Sequence, residues 1–162
     1  MSAPRLAALA LALGPALAGC GFHLQGVARL PPAFATTHLV AEDRYTDFHR
    51  ALADALRASG SQLAGADAAS TVEVLADDSG QRVLSVSASN TPTEYEVYYT
   101  IRYRVRIGDK EVLSPKVLTL TKDYSFDEAA VLAKEQEQEQ SRGALARELA
   151  ALVMRRLTAL GP

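Results

Sequence analysis

Alternation dominates the middle of this chain. From Thr93 to Ile107, Tyr95, Val97, Tyr99, Ile101, Tyr103, Val105 and Ile107 share one parity, while Glu94, Glu96, Tyr98, Thr100, Arg102, Arg104 and Arg106 share the other. A period of two places the first set on one side of a long strand and leaves the second wet. Upstream, Thr37–Glu42 reads as a short strand. Phe48–Ser59 reads as a helix, because Phe48, Leu52, Ala55 and Leu56 follow one helical face. Thr46 or Asp47 is placed to cap its start, and Gly60 to end it. Thr71–Leu75 and Arg82–Ser89 read as strand on either side of Asp77-Asp78-Ser79-Gly80, a bulge or turn signal. Asn90-Thr91-Pro92 turns the chain into the long strand. Gly108-Asp109 turns it out again into Glu111–Tyr124, where Pro115 marks an edge or a bulge.

The last region is helical, starting at Ser125 or Asp127. Leu145, Leu149, Leu152, Val153, Leu157 and Leu160 form its apolar stripe, while Glu135–Gln140 (EQEQEQ) is a solvated face. The order β-α-β-β-β-α predicts an α+β two-layer sandwich, with two helices packed on one face of a four-stranded mixed sheet.

The N-terminus obeys a different pattern. Arg5 precedes the apolar run Leu6–Leu17, which is broken by Gly14 and Pro15 and followed by the small residues Ala18 and Gly19. A run of about a dozen residues is too short to span a bilayer, which needs ~20. Residues 1–19 have the layout of a secretory signal peptide. The single cysteine, Cys20, follows at once, and one thiol can form neither an internal disulfide nor a cysteine metal cage. Leu17-Ala18-Gly19-Cys20 resembles the lipobox of bacterial lipoproteins. That resemblance implies cleavage before Cys20, diacylglycerol on its thiol and a further acyl chain on the new amino terminus. One chain anchors only marginally, so stable attachment needs two or more. Gly21, where inner-membrane retention usually shows Asp, implies the outer membrane. Residues 20–35, with Gly21, Gly26, Pro31 and Pro32, read as a lipidated tether, and 36–162 as a single domain.

About 140 residues then remain, one domain's worth. The whole chain carries 17 Lys+Arg against 19 Asp+Glu, a balance that gives no electrostatic case for nucleic acid. Catalytic patterns are missing too. With Cys20 acylated no thiol nucleophile is left, and the chain has no G-x-S-x-G elbow, P-loop or G-x-G-x-x-G. His38 and His49 could meet with Glu42 or Asp43, but no metal-ligand spacing supports a metal site. The expectation is a non-enzyme without a metal or cofactor, apart from the covalent lipid.

Arg102, Arg104 and Arg106 at period two are the feature that asks for an explanation. Three like charges on one face repel unless countered. A solvated face paired across strands with Asp or Glu would account for them. So would an anion-binding strip, since guanidinium forks bind phosphates bidentately. Glu94 and Glu96 occupy the other end of that face, which polarises it along the strand.

Three stretches point to a family. Cys20-Gly21-Phe22-His23-Leu24-Gln25-Gly26 resembles the mature N-terminus of the LPS-assembly lipoproteins, the LptE family, where C-G-aromatic-H-L recurs. Thr93-Glu94-Tyr95 and Ala133-Lys134-Glu135 resemble its long-strand opening and the start of its second helix. The resemblance implies a non-catalytic subunit of the outer-membrane lipopolysaccharide translocon, facing the periplasm. Such a subunit plugs an LptD-like β-barrel, assists its assembly and contacts lipopolysaccharide. By the same resemblance Lys134 matches a lysine linked to lipopolysaccharide contact. A second cation expected before the long strand has no match, since Ala88, Ser89 and Asn90 stand there; Arg82 or the strip Arg102, Arg104 and Arg106 would have to substitute. Two other classes fit the bare residues: an auxiliary outer-membrane lipoprotein of another lipid or transport system, and a small periplasmic enzyme on a lipid tether.

Overall fold

The computed structural model describes residues 30–125 and 131–160. The expected signal peptide over residues 1–19, Cys20 and the helix start expected at Asp127 lie outside them. The described chain opens on a 3-10 turn at Pro32–Phe34 and then β1 (Thr36–Ala41). Phe34 is fully buried and Leu30 packs against the core, so residues 30–35 belong to the packed body.

Helix α1 (Asp47–Ala58) starts where its cap predicts. The Thr46 hydroxyl accepts the His49 N–H at 3.1 Å and donates to Asp77 Oδ2 at 2.6 Å, tying the helix start to the sheet. Phe48, Leu52, Ala53 and Leu56 form its buried face. Gly60 follows the helix at φ +86°, a conformation that costs other residues more.

Four further strands follow: β2 (Gln62–Leu63), β3 (Ser70–Val86), β4 (Pro92–Ile107) and β5 (Lys110–Ser125). The sheet order is β2-β1-β3-β4-β5. β1 runs parallel to both β2 and β3, and the other pairings are antiparallel. The sheet is thus mixed as expected, but it has five strands rather than four. β2 was missed because two residues carry no periodicity.

The break expected at Asp77–Gly80 is not there. β3 runs through it, and the register shifts lie on either side, between Val74 and Ala76, between Val83 and Ser85, and between Ser85 and Val86. Gly80 has a different task. It stands opposite Tyr98, and a Cβ on it would come within 2.7 Å of the Tyr98 hydroxyl oxygen. The glycine lets the aromatic ring lie across β3, so it marks a close approach and not a turn.

Helix α2 (Val131–Ala159) closes the fold. The start expected at Ser125 is overturned, since Ser125 is the last residue of β5. Leu145, Ala146, Leu149, Ala150, Val153, Met154 and Leu157 are buried, while Leu152 and Leu160 sit half-buried at the margin. Both helices cover one face of the sheet. Val97, Tyr99, Ile101, Tyr103 and Val105 are buried beneath them, each apolar side chain contributing ~1.5–3 kcal/mol. The Tyr99 hydroxyl accepts the Phe48 N–H at 3.1 Å, satisfying one helix-end donor from the sheet. Burial pushes the Tyr99 phenol far up, and it stays protonated.

Candidate functional site

The other face of the sheet is covered by no described element, and it carries the three arginines. Their situations differ. Arg104 stands opposite Glu73 in the ladder and donates from Nε to Glu73 Oε2 at 2.8 Å, with Nη2 at 2.7 Å from the same oxygen. Glu111 lies farther off, 3.9 Å from Arg104 Nη1. Arg102 faces Ala76 and Val117, which offer no charge. Arg106 faces Thr71 and Glu111, but Glu111 leans toward Arg104 instead. Among the described residues neither Arg102 nor Arg106 has an ion pair, and both are exposed.

At the distal end of this face acids outnumber cations, since Glu94 and Glu96 of β4 and Asp123 of β5, opposite Glu96, share it with Arg82. Arg82 Nη2 lies 2.5 Å from Glu96 Oε1, opposite it in register. Arg82 is therefore committed to Glu96. The free cations of the open face are the two outer arginines, at the end away from the β3–β4 turn.

Lys134 falls in the first turns of α2, and its side chain lies outside the described residues.

A groove of about 800 Å³ does lie beside the N-terminal half of α2, lined by Asp47, Lys122, Glu137, Ser141 and Arg147, among others. Lys122 shares its parity with Leu118 and Leu120, which pack on the core, so it lies on the helix-covered side of β5 and reaches the groove. That out-of-pattern lysine was readable in the sequence and passed unnoticed. Arg142 in α2 donates from Nε to Asp47 Oδ2 at 2.8 Å, while Arg50 holds the other oxygen, joining the two helices. Burial alone would raise the Asp47 carboxyl. The hydrogen bonds from Arg142 and Arg50 outweigh it and hold the group below its usual range.

The two histidines considered for a metal, His38 in β1 and His49 in the first turn of α1, do line one hollow with Leu39, Arg44 and Leu63, but neither Glu42 nor Asp43 lines it with them. Among the described residues no three His, Cys, Asp or Glu side chains converge, and no helix is long and apolar enough to cross a membrane.

These features define a small α+β domain that presents charge on two faces rather than gathering it in a reaction centre. Residues 34–157 match the family model LptE, lipopolysaccharide-assembly. The chain belongs to the LptE family. It is 27% identical over 157 residues to the LPS-assembly lipoprotein LptE of Pectobacterium atrosepticum, covering 94% of this chain and 85% of that one. With the LPS-assembly lipoprotein LptE of Yersinia enterocolitica it shares 25% identity over 155 residues, covering 92% and 74%. Both names describe assembly lipoproteins and not enzymes. Among solved structures, an uncharacterised lipoprotein B from Nitrosomonas europaea superposes with TM-score 0.71 at 22% identity, over 86% of this chain and 91% of that one. The rare lipoprotein B from Shewanella oneidensis gives 0.69 at 22%, over 76% and 94%. At that identity the two structures support the fold alone.

Proposed function

We propose that this protein is a non-catalytic subunit of the lipopolysaccharide translocon, anchored through lipid on Cys20 to the periplasmic side of the outer membrane. In this reading it sits in the lumen of an LptD-like β-barrel, assists the barrel's assembly and touches lipopolysaccharide on the way through. The observation that carries the reading is the family match over residues 34–157. The physics supports it. A large outer-membrane barrel has a polar lumen, and this domain offers a polar open face to fill it. Lipopolysaccharide carries phosphates, for which Arg102 and Arg106 are free on the open face. Lys134 is the further candidate that the family resemblance supplies.

The test is a detergent pull-down of the lipidated protein, with mass spectrometry of the barrel that accompanies it. An LptD-type barrel at one-to-one ratio is expected. Recovery with a different transport barrel would move the protein to another system, and recovery alone would remove the plug.

A further inference from the structure

The two edges of the sheet are built differently. The edge formed by β5 carries Lys110, Pro115, Lys116 and Lys122, residue types that discourage another strand from adding. The edge formed by β1 has no such guard. β2 covers it only at Thr36 and Thr37. There the Gln62 N–H donates to the Ala35 carbonyl at 2.9 Å and the Ala64 N–H to the Thr37 carbonyl at 3.0 Å. These bonds show that odd-numbered residues of β1 turn their backbone groups outward. The next outward pairs belong to Leu39 and Ala41, and no described residue takes them.

Beside this bare edge lies a groove of about 290 Å³, lined by Leu39, Leu63, Arg44 and His49, with His38 at its rim. The His49 Nε2 is buried and has no hydrogen-bond partner among the described residues. Unpaired backbone groups and an unpaired ring nitrogen thus meet in one place, and each costs free energy while it stays unsatisfied. The ionisable groups lining the groove are all basic. Asp43 and Asp77 act on His49 electrostatically, but with Glu42 they line a neighbouring hollow beside Ala41, so the basic lining is confined to the Leu39 end of the edge.

Resting on the barrel-subunit reading above, we infer that the outer edge of β1 receives an extended acidic segment of the barrel partner, which lengthens the sheet where β2 stops. Backbone pairing at Leu39 and Ala41 supplies the contact, and Arg44 meets the segment's carboxylate. Two residue pairs make a small site, so this is one contact within a larger interface.

Hydrogen exchange on the purified complex with the LptD-type barrel tests it. The Leu39 and Ala41 amides should exchange freely in the isolated protein and at least about tenfold more slowly in the complex. Ala41→Pro removes an outward N–H without touching the β1–β3 ladder. It should leave the melting curve near wild type and weaken the complex about tenfold. Arg44→Glu, on an exposed side chain, repeats the test without altering the strand and should weaken the complex similarly. A complex that forms with both amides still exchanging freely, or with unchanged affinity in both variants, overturns the edge inference and leaves the barrel reading standing. Amides already protected in the isolated protein would mean that the chain covers its own edge, which also overturns it. Failure to form any complex with the barrel overturns both.

Discussion

Arg104 and Glu73 face one another across β4 and β3 and share a 2.8 Å hydrogen bond, so the central charge of the arginine strip is spent inside the protein. The outer two are not. A polyanion such as lipopolysaccharide gains several modest contacts at once, each screened over ~8 Å at physiological ionic strength. Arg102→Glu with Arg106→Glu should therefore weaken binding of the delipidated domain to purified lipopolysaccharide several-fold at low salt. Arg104→Glu alone should weaken it less, and its main effect should be on stability, because it places two carboxylates opposite each other. Equal loss from both variants would mean that the strip binds as a unit. Lys134→Asp tests the remaining candidate and should weaken binding further when added to the outer pair.

How much of this was readable beforehand depends on the range of each signal. The alternation from Tyr95 to Ile107 is long and local, and it assigned both faces of β4 correctly. The Thr46 cap and Gly60 stop are local too, and α1 begins and ends within a residue of their prediction. What failed required knowledge of the opposite strand. Asp77–Gly80 has the composition of a turn, and only Tyr98 lying over Gly80 explains why the strand continues. The division of the arginines into one paired and two free follows from register, which places Glu73 opposite Arg104 and Ala76 opposite Arg102. No property of the arginines themselves distinguishes them.

The face assignment makes a sharp stability prediction. Ile101 is fully buried between the helices and the sheet, whereas Arg102, its neighbour in sequence, is exposed opposite Ala76 and Val117. Ile101→Asp buries an unpaired carboxylate and should cost about 4 kcal/mol or more, enough to unfold a marginal domain. Arg102→Asp should change stability by about 0.5 kcal/mol or less. Urea unfolding followed by circular dichroism decides it. Similar midpoints for the two variants would require the opposite register.

In the proposed anchoring, Cys20 carries the localisation. Cys20→Ser keeps the side chain's size and removes the acylation chemistry, so the precursor should stay uncleaved and remain at the inner membrane. Fractionation with an immunoblot shows this as a band larger by the mass of residues 1–19. A variant that is processed and reaches the outer membrane normally would show that the anchor lies elsewhere.

The response of the fold to acid should come in two stages, set by different groups. Burial lowers the pKa of His49 below 6.5, with the positive charge of Arg44 acting in the same direction; the Arg44 carbonyl, Asp77 and Asp43 oppose them without winning. A base that is harder to protonate in the folded state leaves the unfolded chain binding more protons. Stability is then full above pH 6.5 and falls progressively as pH drops toward the folded-state pKa. His49→Leu removes this group and should flatten the urea midpoint between about pH 7 and pH 5, where the wild type declines. Asp47 governs the next stage. Its carboxylate is stabilised in the folded state by Arg142 and Arg50, so its contribution is present above 3.8 and is lost as pH falls through its lower folded-state value. Asp47→Asn should therefore lower stability at neutral pH and show a shallower decline below about pH 4. A wild-type midpoint that stays level from about pH 7 to pH 5 would mean that the His49 ring reaches water or a partner. It would also remove one of the two unpaired groups on which the β1 edge inference rests.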